Sequence, residues 1–252
     1  MTSTETSGSG DLARTLDLLW DTGHRPSRGP KPTLTLDRIV EAAVRVADTE
    51  GLAAVTMRRV ATELGTGTMS LYRYLPGKAE LLDLMLDRVQ QPPEGELASE
   101  GWREALHAYA YESLEMYRRH PWLLEVNQTR PVLGPGALAG MEHLLTRIES
   151  MGLADPEMIA VLVMISGYVS GVARTRVFAE EAERTTGMTD AEFWKAQEPA
   201  LEKALATGRY PVVAALSEEA FDMSFDHFDF GLQRILDGLE VFVAKRTGDR
   251  PG

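Results

Sequence analysis

Apolar positions recur along most of the chain at i, i+3, i+4 and i+7, and no segment alternates with the two-residue period of a strand, so the pattern predicts an all-α protein. A first helix opens near Thr35, a plausible N-cap, aligns Ile39, Val40, Ala43, Val44 and Ala47, and stops at Gly51. A short helix follows from Thr56, with Val60, Ala61 and Leu64 inward and Gly65 as its stop. After Thr66-Gly67 a third helix runs from about Thr68 to Leu75 and ends at Pro76-Gly77. A fourth, from Lys78 to about Val89, places Leu81, Leu82, Met85, Leu86 and Val89 on one face before Pro92-Pro93.

A second region opens at Trp102 and carries Ala105, Leu106, Tyr109, Ala110, Ser113, Leu114 and Tyr117 at helical spacing up to the break at His120-Pro121. Trp122 to Val126 reads as a short helical piece, Thr129 to Gly136 as a Pro/Gly loop, and Ala137 to Met151 as another helix. Asp155-Pro156-Glu157 supplies an N-cap, an N1 proline and a first-turn acid for a long helix to about Glu183. Thr189 to Glu192 is a capping box, and its helix is expected to break or kink at Pro199. Gly208 to Pro211 interrupts, and the acidic aromatic stretch Phe221 to Phe230 leads into a last helix to about Lys245. The predicted organisation is a flexible extension over 1–33, with a short amphipathic exception at Asp11 to Trp20, a helical head over 34–90 and a larger helical body over 100–248.

The net charge of −12 argues against a polyanionic partner until its distribution is considered. Thr22 to Lys78 holds Arg25, Arg28, Lys31, Arg38, Arg45, Arg58, Arg59, Arg73 and Lys78 against Asp37, Glu41, Asp48, Glu50 and Glu63, a balance of +4 that leaves −16 for the rest. A mildly basic head on an acidic body suits a protein that presents one end to nucleic acid. The chain has no cysteine, so disulfides, thiolate metal sites and thiol nucleophiles are excluded. Met1 to Gly10 lacks the basic and apolar regions of a secretory leader. The longest apolar run, Met158 to Ile165, is short of the roughly 18 residues a membrane span needs. The expected location is therefore the cytoplasm.

Thr56 to Lys78 carries the chemistry. Two short helices meet across Gly65-Thr66-Gly67, with small Ala61 at their crossing, which is helix-turn-helix geometry. The outward set is Thr56, Arg58, Arg59, Thr68, Met69, Ser70, Tyr72, Arg73, Tyr74 and Lys78, cations, hydroxyls and phenols suited to phosphate oxygens and base edges. On these residues the chain resembles the TetR family of repressors. The matching stretches are Ile39-Val40-Glu41-Ala42-Ala43, Glu50-Gly51-Leu52 and the run from Thr56 through Leu82. The resemblance implies that Arg58 reads a base, that Thr68, Met69 and Ser70 face bases, and that Thr56, Tyr72, Tyr74 and Lys78 hold phosphates. Met69 can read only a thymine methyl or shape. Arg25, Arg28 and Lys31 are candidates for backbone or minor-groove contact.

The resemblance extends to the second half, nearest the tetracycline-repressor subclass, through Trp102, Thr129-Arg130-Pro131, Gly152, Tyr168-Val169-Ser170-Gly171 and Phe230-Gly231-Leu232. It implies an effector cavity lined by Tyr109, Ser113, Val126, Asn127, Arg130, Pro131, Met141, Leu144, Ile159 and Leu162. Where tetracycline repressors place a metal-binding histidine this chain has Val126 or Asn127, and the partner carboxylate position falls near Thr175. That departure argues against magnesium–tetracycline and for a small hydrophobic or aromatic effector. The helix from Asp155 is apolar almost all round, with Ser166, Gly167, Ser170 and Gly171 as a small-residue strip. With Leu232, Ile235 and Leu239 of the last helix it predicts a homodimer interface.

No catalytic motif, metal-ligand spacing or cofactor fingerprint is present. Asp222, Asp226, His227 and Asp229 could hold a cation, but the pattern favours packed Phe221, Phe225, Phe228 and Phe230 with the acids in water. The expectation is a ligand-responsive repressor, not an enzyme, with no cofactor, no metal and no membrane partner, binding palindromic operator DNA as a homodimer. An activator with the same motifs, or a helical small-molecule-binding protein without a DNA role, is the alternative.

Overall fold

Helix caps and turn residues set the element boundaries in the computed structural model, which describes residues 5–20, 34–92, 101–217, 220 and 225–248. The helices are α1 (Leu12–Trp20), α2 (Leu36–Glu50), α3 (Met57–Glu63), α4 (Thr68–Leu71), α5 (Lys78–Val89), α6 (Trp102–Arg119), α7 (Pro135–Ile148), α8 (Asp155–Thr186), α9 (Asp190–Leu205), α10 (Pro211–Ala214) and α11 (His227–Gly248). Among the described residues there is no strand, only an isolated parallel bridge between Thr6 and Asn127. The all-α architecture follows the periodicity. Arg25, Arg28, Lys31, Phe221 and Asp222 lie outside the described residues.

Thr35 and Thr56 cap α2 and α3 by accepting the backbone N–H groups of Arg38 and Arg59. Gly65 ends α3 at φ +64°. Its N–H donates to the Thr62 carbonyl at 3.1 Å and that of Thr66 to the Ala61 carbonyl at 2.9 Å, the paired bonds of a Schellman motif. Helix α4 is one turn shorter than the expected Thr68 to Leu75. Tyr72 to Tyr74 form a turn instead, with the Tyr74 and Leu75 N–H groups both donating to the Leu71 carbonyl.

By backbone contacts the chain divides into two compact units, 1–166 and 167–252. The first joins the head to the start of the body. Its core combines Ile39, Val46, Val60, Ala61, Leu71, Leu75, Leu81 and Met85 with Trp122, Leu123 and Val126. Helix α5 is buried on every side from Glu80 to Asp87, not along one face. Residues 5–10, placed by composition in a flexible extension, are tied down instead, while the amphipathic exception expected at Asp11 to Trp20 contains α1. Thr15 is fully buried, Leu18 and Leu19 pack against the core, and residues 7–11 bond to carboxylates of α5.

In the second unit α11 lies on the later part of α8. The Tyr168 hydroxyl contacts the carbonyls of His227 and Phe228 at 3.0 and 2.9 Å, and the Tyr168 ring stacks on Phe228. A Cβ at Gly231 would fall 2.2 Å from the Tyr168 hydroxyl, so only glycine allows this approach. Helix α9 runs through Pro199 without the expected interruption. Every residue around that turn is exposed, so water can take the carbonyl that proline leaves unbonded. Among the described members of the aromatic cluster, Phe228 is buried, while Phe225 and Phe230 are exposed, their rings 5.5 Å apart. Helix α8 is long and apolar enough to cross a membrane, with an 18-residue window of mean hydropathy 1.6. Counting uninterrupted apolar runs missed this because Ser166, Gly167, Ser170 and Gly171 punctuate the helix.

Gly65 has open space where a Cβ would stand, so its replacement meets only the conformational penalty of positive φ. Gly65→Ala should destabilise the protein by about 1–2 kcal/mol in urea titration, with the helical content of the folded state unchanged.

Candidate functional site

The Schellman turn aims α4 away from α3, and burial of Leu71 between them turns the opposite side of α4 outward. Met69 is 76% exposed and Tyr72 46%, although apolar and aromatic groups of that size normally seek cover. Thr56 and Arg58 are exposed beside them, and Thr68 and Ser70 half-buried. The Thr56 hydroxyl accepts the Arg59 N–H in its cap at 3.1 Å, which leaves its proton free to donate. One short segment thus presents a guanidinium, four hydroxyls and a thioether within the loop and turns that flank Gly67.

Two predicted members are placed differently. Tyr74 is packed against the core and donates its hydroxyl to the Leu34 carbonyl at 2.7 Å, holding the entry to α2 instead of facing outward. Lys78 is half-buried, its Nζ 2.8 Å from a Glu5 carboxylate oxygen. Arg59 is also spent internally, donating to Glu50 and Glu63. Its hydrogen bond to Glu50 holds that carboxyl below its ordinary value and, with the bond to Glu63, raises the guanidinium's own. Arg58, one position earlier, projects without an ion pair to any described residue.

The head is fastened to the body by carboxylates. Asp48 at the end of α2 accepts the Trp122 indole N–H and contacts His120 Nδ1, both at 2.8 Å. On α5, Glu80 accepts the Asp11 N–H, Asp83 accepts the Ser7 hydroxyl and the Gly8 N–H, and Asp87 accepts the N–H groups of Gly136 and Ala137 at the start of α7. Burial pushes the Asp83 carboxyl up, and the Ser7 and Gly8 bonds pull it back. Sequence reasoning missed this set. The only available signal was acids at 80, 83 and 87, on one side of an otherwise apolar helix.

The predicted effector residues separate into two groups. Leu144 is buried, while Tyr109, Ser113, Met141 and Leu162 are half-buried on α6, α7 and α8, and the Tyr109 hydroxyl lies 3.2 Å from Ser166 Oγ. The others are elsewhere. Val126 belongs to the core shared with the head, and Asn127, Arg130, Pro131 and Ile159 are exposed. Asn127 exchanges backbone hydrogen bonds with Glu5 and Ser7, and its side chain accepts the N–H and hydroxyl of Thr129. Its polarity therefore serves a turn, not an apolar cavity. One residue the sequence did not single out belongs with the half-buried group. His143 on α7 has a buried Nε2 with no hydrogen-bond partner, and desolvation, then the Arg147 charge, depress its pKa so that the neutral ring is favoured. Among the described residues no cluster of side chains could hold a metal ion.

Of the predicted dimer residues, Leu232 and Leu239 are buried within the chain, Ser166 is engaged with Tyr109, and the Ser170 hydroxyl donates to the Gly167 carbonyl. Gly167 and Gly171 are exposed with open space beyond them.

Residues 39–85 match the tetR family of bacterial regulatory proteins, and residues 93–243 match the tetracyclin repressor-like C-terminal domain. The chain belongs to the TetR family. It is 70% identical over 249 residues to the HTH-type transcriptional repressor DrrR1 of Streptomyces coeruleorubidus, covering 98% of this chain and 92% of that protein. An HTH-type transcriptional regulator of Saccharopolyspora erythraea is 33% identical, covering 88% and 90%. Among solved structures, Streptomyces coelicolor ActR in complex with actinorhodin superposes with a TM-score of 0.68 at 30% identity, covering 83% of this chain and 96% of that one. The protein is thus a helix-turn-helix transcriptional repressor of the TetR family, related in fold to members crystallised with small ligands. That family is one of regulators rather than enzymes.

Removing the Asp87 carboxylate leaves the buried Gly136 N–H and the half-buried Ala137 N–H unpaired. Asp87→Ala should cost about 1–3 kcal/mol in chemical denaturation.

Proposed function

We propose that the protein binds a palindromic operator in the cytoplasm as a homodimer and leaves it when a small hydrophobic or aromatic effector enters the body. The observation that carries this reading is the outward surface of α3 and α4, where Arg58 is exposed with no ion pair to any described residue and Met69 is 76% exposed. Arg58, Thr68, Met69 and Ser70 read bases; Thr56, Tyr72 and Lys78 hold phosphates. The assignment of Tyr74 to a phosphate is dropped, because its hydroxyl already donates to the Leu34 carbonyl. The head over 34–90 does the reading, and the body over 100–248 binds effector and partner.

The effector site proposed is the half-buried set Tyr109, Ser113, Met141, Leu144 and Leu162, with His143 as a neutral hydrogen-bonding group. An unsatisfied buried imidazole nitrogen costs free energy that a ligand hydroxyl or carbonyl recovers. ActR's complexes with actinorhodin and (S)-DNPA support a small organic ligand. The partner surface proposed is the open strip at Gly167 and Gly171 together with Ile235 and the exposed Val241 and Phe242 of α11. The exposed Ile159, Val163 and Met164 of α8 fit a protein contact equally well. Binding, not catalysis, is the whole activity proposed.

Mechanistically, effector shifts the population toward a dimer whose recognition helices no longer stand one DNA turn, roughly 34–36 Å, apart. Arg58→Ala should lose about 1–3 kcal/mol of specific operator affinity, read by mobility shift against unrelated duplex. Equal affinity of that variant and the parent protein would refute the base-reading role. Linkage requires operator and effector to weaken each other by one factor, so calorimetric titration of effector with and without operator must give unequal affinities.

A further inference from the structure

The sequence pattern read residues 5–10 only as part of a flexible extension, yet residues 5–11 are bonded along almost their whole length. Glu5 and Ser7 exchange backbone bonds with Asn127 at 2.9 and 3.1 Å. The Ser7 hydroxyl reaches Asp83 at 2.7 Å, and also accepts the Val132 N–H at 3.3 Å. The Gly8 N–H donates to both Asp83 oxygens, and the Asp11 N–H to Glu80. A Cβ at Gly10 would fall 2.4 Å from Glu80 Oε1, so the strap lies directly on α5. These bonds leave Glu5 little freedom. Its carboxylate is set 2.8 Å from Lys78 Nζ, at the first residue of α5.

We propose that Glu5 is a built-in mask on Lys78, an intramolecular stand-in for a DNA phosphate that operator binding must displace. The proposal rests on the assignment of Lys78 to a phosphate. Three features fit displacement. The pair is partly open to solvent, with side chains 30% and 37% exposed, so it is weak and screened by salt. The strap beyond it is anchored by a buried aspartate and does not depend on the pair. Both ends of the outer bonds involve Asn127, in the loop that leads into α7, so the position of that loop sets the position of the mask. Lys78 availability is then read from the body as well as from the head.

The test is a double-mutant cycle in the full-length protein, with operator affinity measured by fluorescence anisotropy from 50 to about 300 mM potassium chloride. Lys78→Ala should weaken operator binding several-fold and reduce the salt slope by about one. Glu5→Gln should tighten binding about three- to tenfold near 0.1 M salt, the scale of one released phosphate contact. In the Lys78→Ala background Glu5→Gln should change affinity less than twofold. If Glu5→Gln tightens binding equally in both backgrounds, the carboxylate acts only through net charge and the mask is overturned. If Lys78→Ala weakens binding but Glu5→Gln does nothing, the mask falls and the phosphate role of Lys78 stands. If Lys78→Ala has no effect, both fall. Thermal melts of each variant confirm that these differences arise in folded protein.

Discussion

A carboxylate taken out of water must be met by hydrogen-bond donors or it will not stay charged, and three successive turns of α5 each bury one. Glu80, Asp83 and Asp87 are at most 6% exposed. Backbone N–H groups meet them in every case, from Asp11, Gly8, Gly136 and Ala137. Main-chain donors approach this closely only where side chains are absent. A Cβ at Gly136 would fall 2.2 Å from the Asp87 carbonyl, and one at Gly134 2.4 Å from Asp87 Oδ1. Asp87 also sits at the start of α7, where unpaired N–H groups and the helix dipole both favour an anion. The helix that leaves the DNA-reading head is therefore bound to the body by electrostatics inside an apolar core. Such contacts are strong only at one geometry, so a shift of α7 cannot leave α5 where it was.

That constraint gives the head its mechanical character. Its core does not close on itself. Trp122, Leu123 and Val126 of the body complete it, and the Trp122 indole N–H donates to Asp48. Helix α4 holds its place through a Schellman turn, one buried leucine and the Tyr74 hydroxyl on Leu34. A one-turn recognition element of that kind has little stability of its own. Its orientation is borrowed from α2, α3 and α5, and α5 in turn answers to the body. Under the proposed mechanism, movement in the body would reach the DNA as a change of aim, through these contacts.

The helix pattern, the helix-turn-helix and the caps at Thr35, Thr56 and Thr189 were legible because each depends on a few neighbouring residues. Gly65 announced its positive φ, and Thr56 its N-cap. The N-terminal strap was not legible. Thr6-Ser7-Gly8-Ser9-Gly10 has the composition of a linker, and only the distant acids of α5 make it structure. Tyr74 and Asn127 were misjudged for the same reason: their polar atoms serve backbone groups at Leu34, Glu5 and Ser7 that no local pattern reveals. Leu232 and Leu239 show the remaining limit. Periodicity identifies an apolar face, but not whether the same chain or a second copy covers it.

Helix α8 shows what that limit means in physical terms. Val161, Ile165, Val169 and Ala173, four residues apart, are buried, while Ile159, Val163 and Met164 on its other sides are 40–65% exposed. A soluble helix with a single buried face has no reason to be apolar all round. Polar residues on the open side would raise its solubility at no cost to the fold. Their absence, next to glycines at 167 and 171 that have nothing within contact of an added Cβ, fits the partner surface proposed above. In the proposed homodimer, a rigid apolar seam is what would hold two reading heads at a fixed spacing. A flexible polar contact would let the heads drift, and effector binding would then have no defined geometry to disturb.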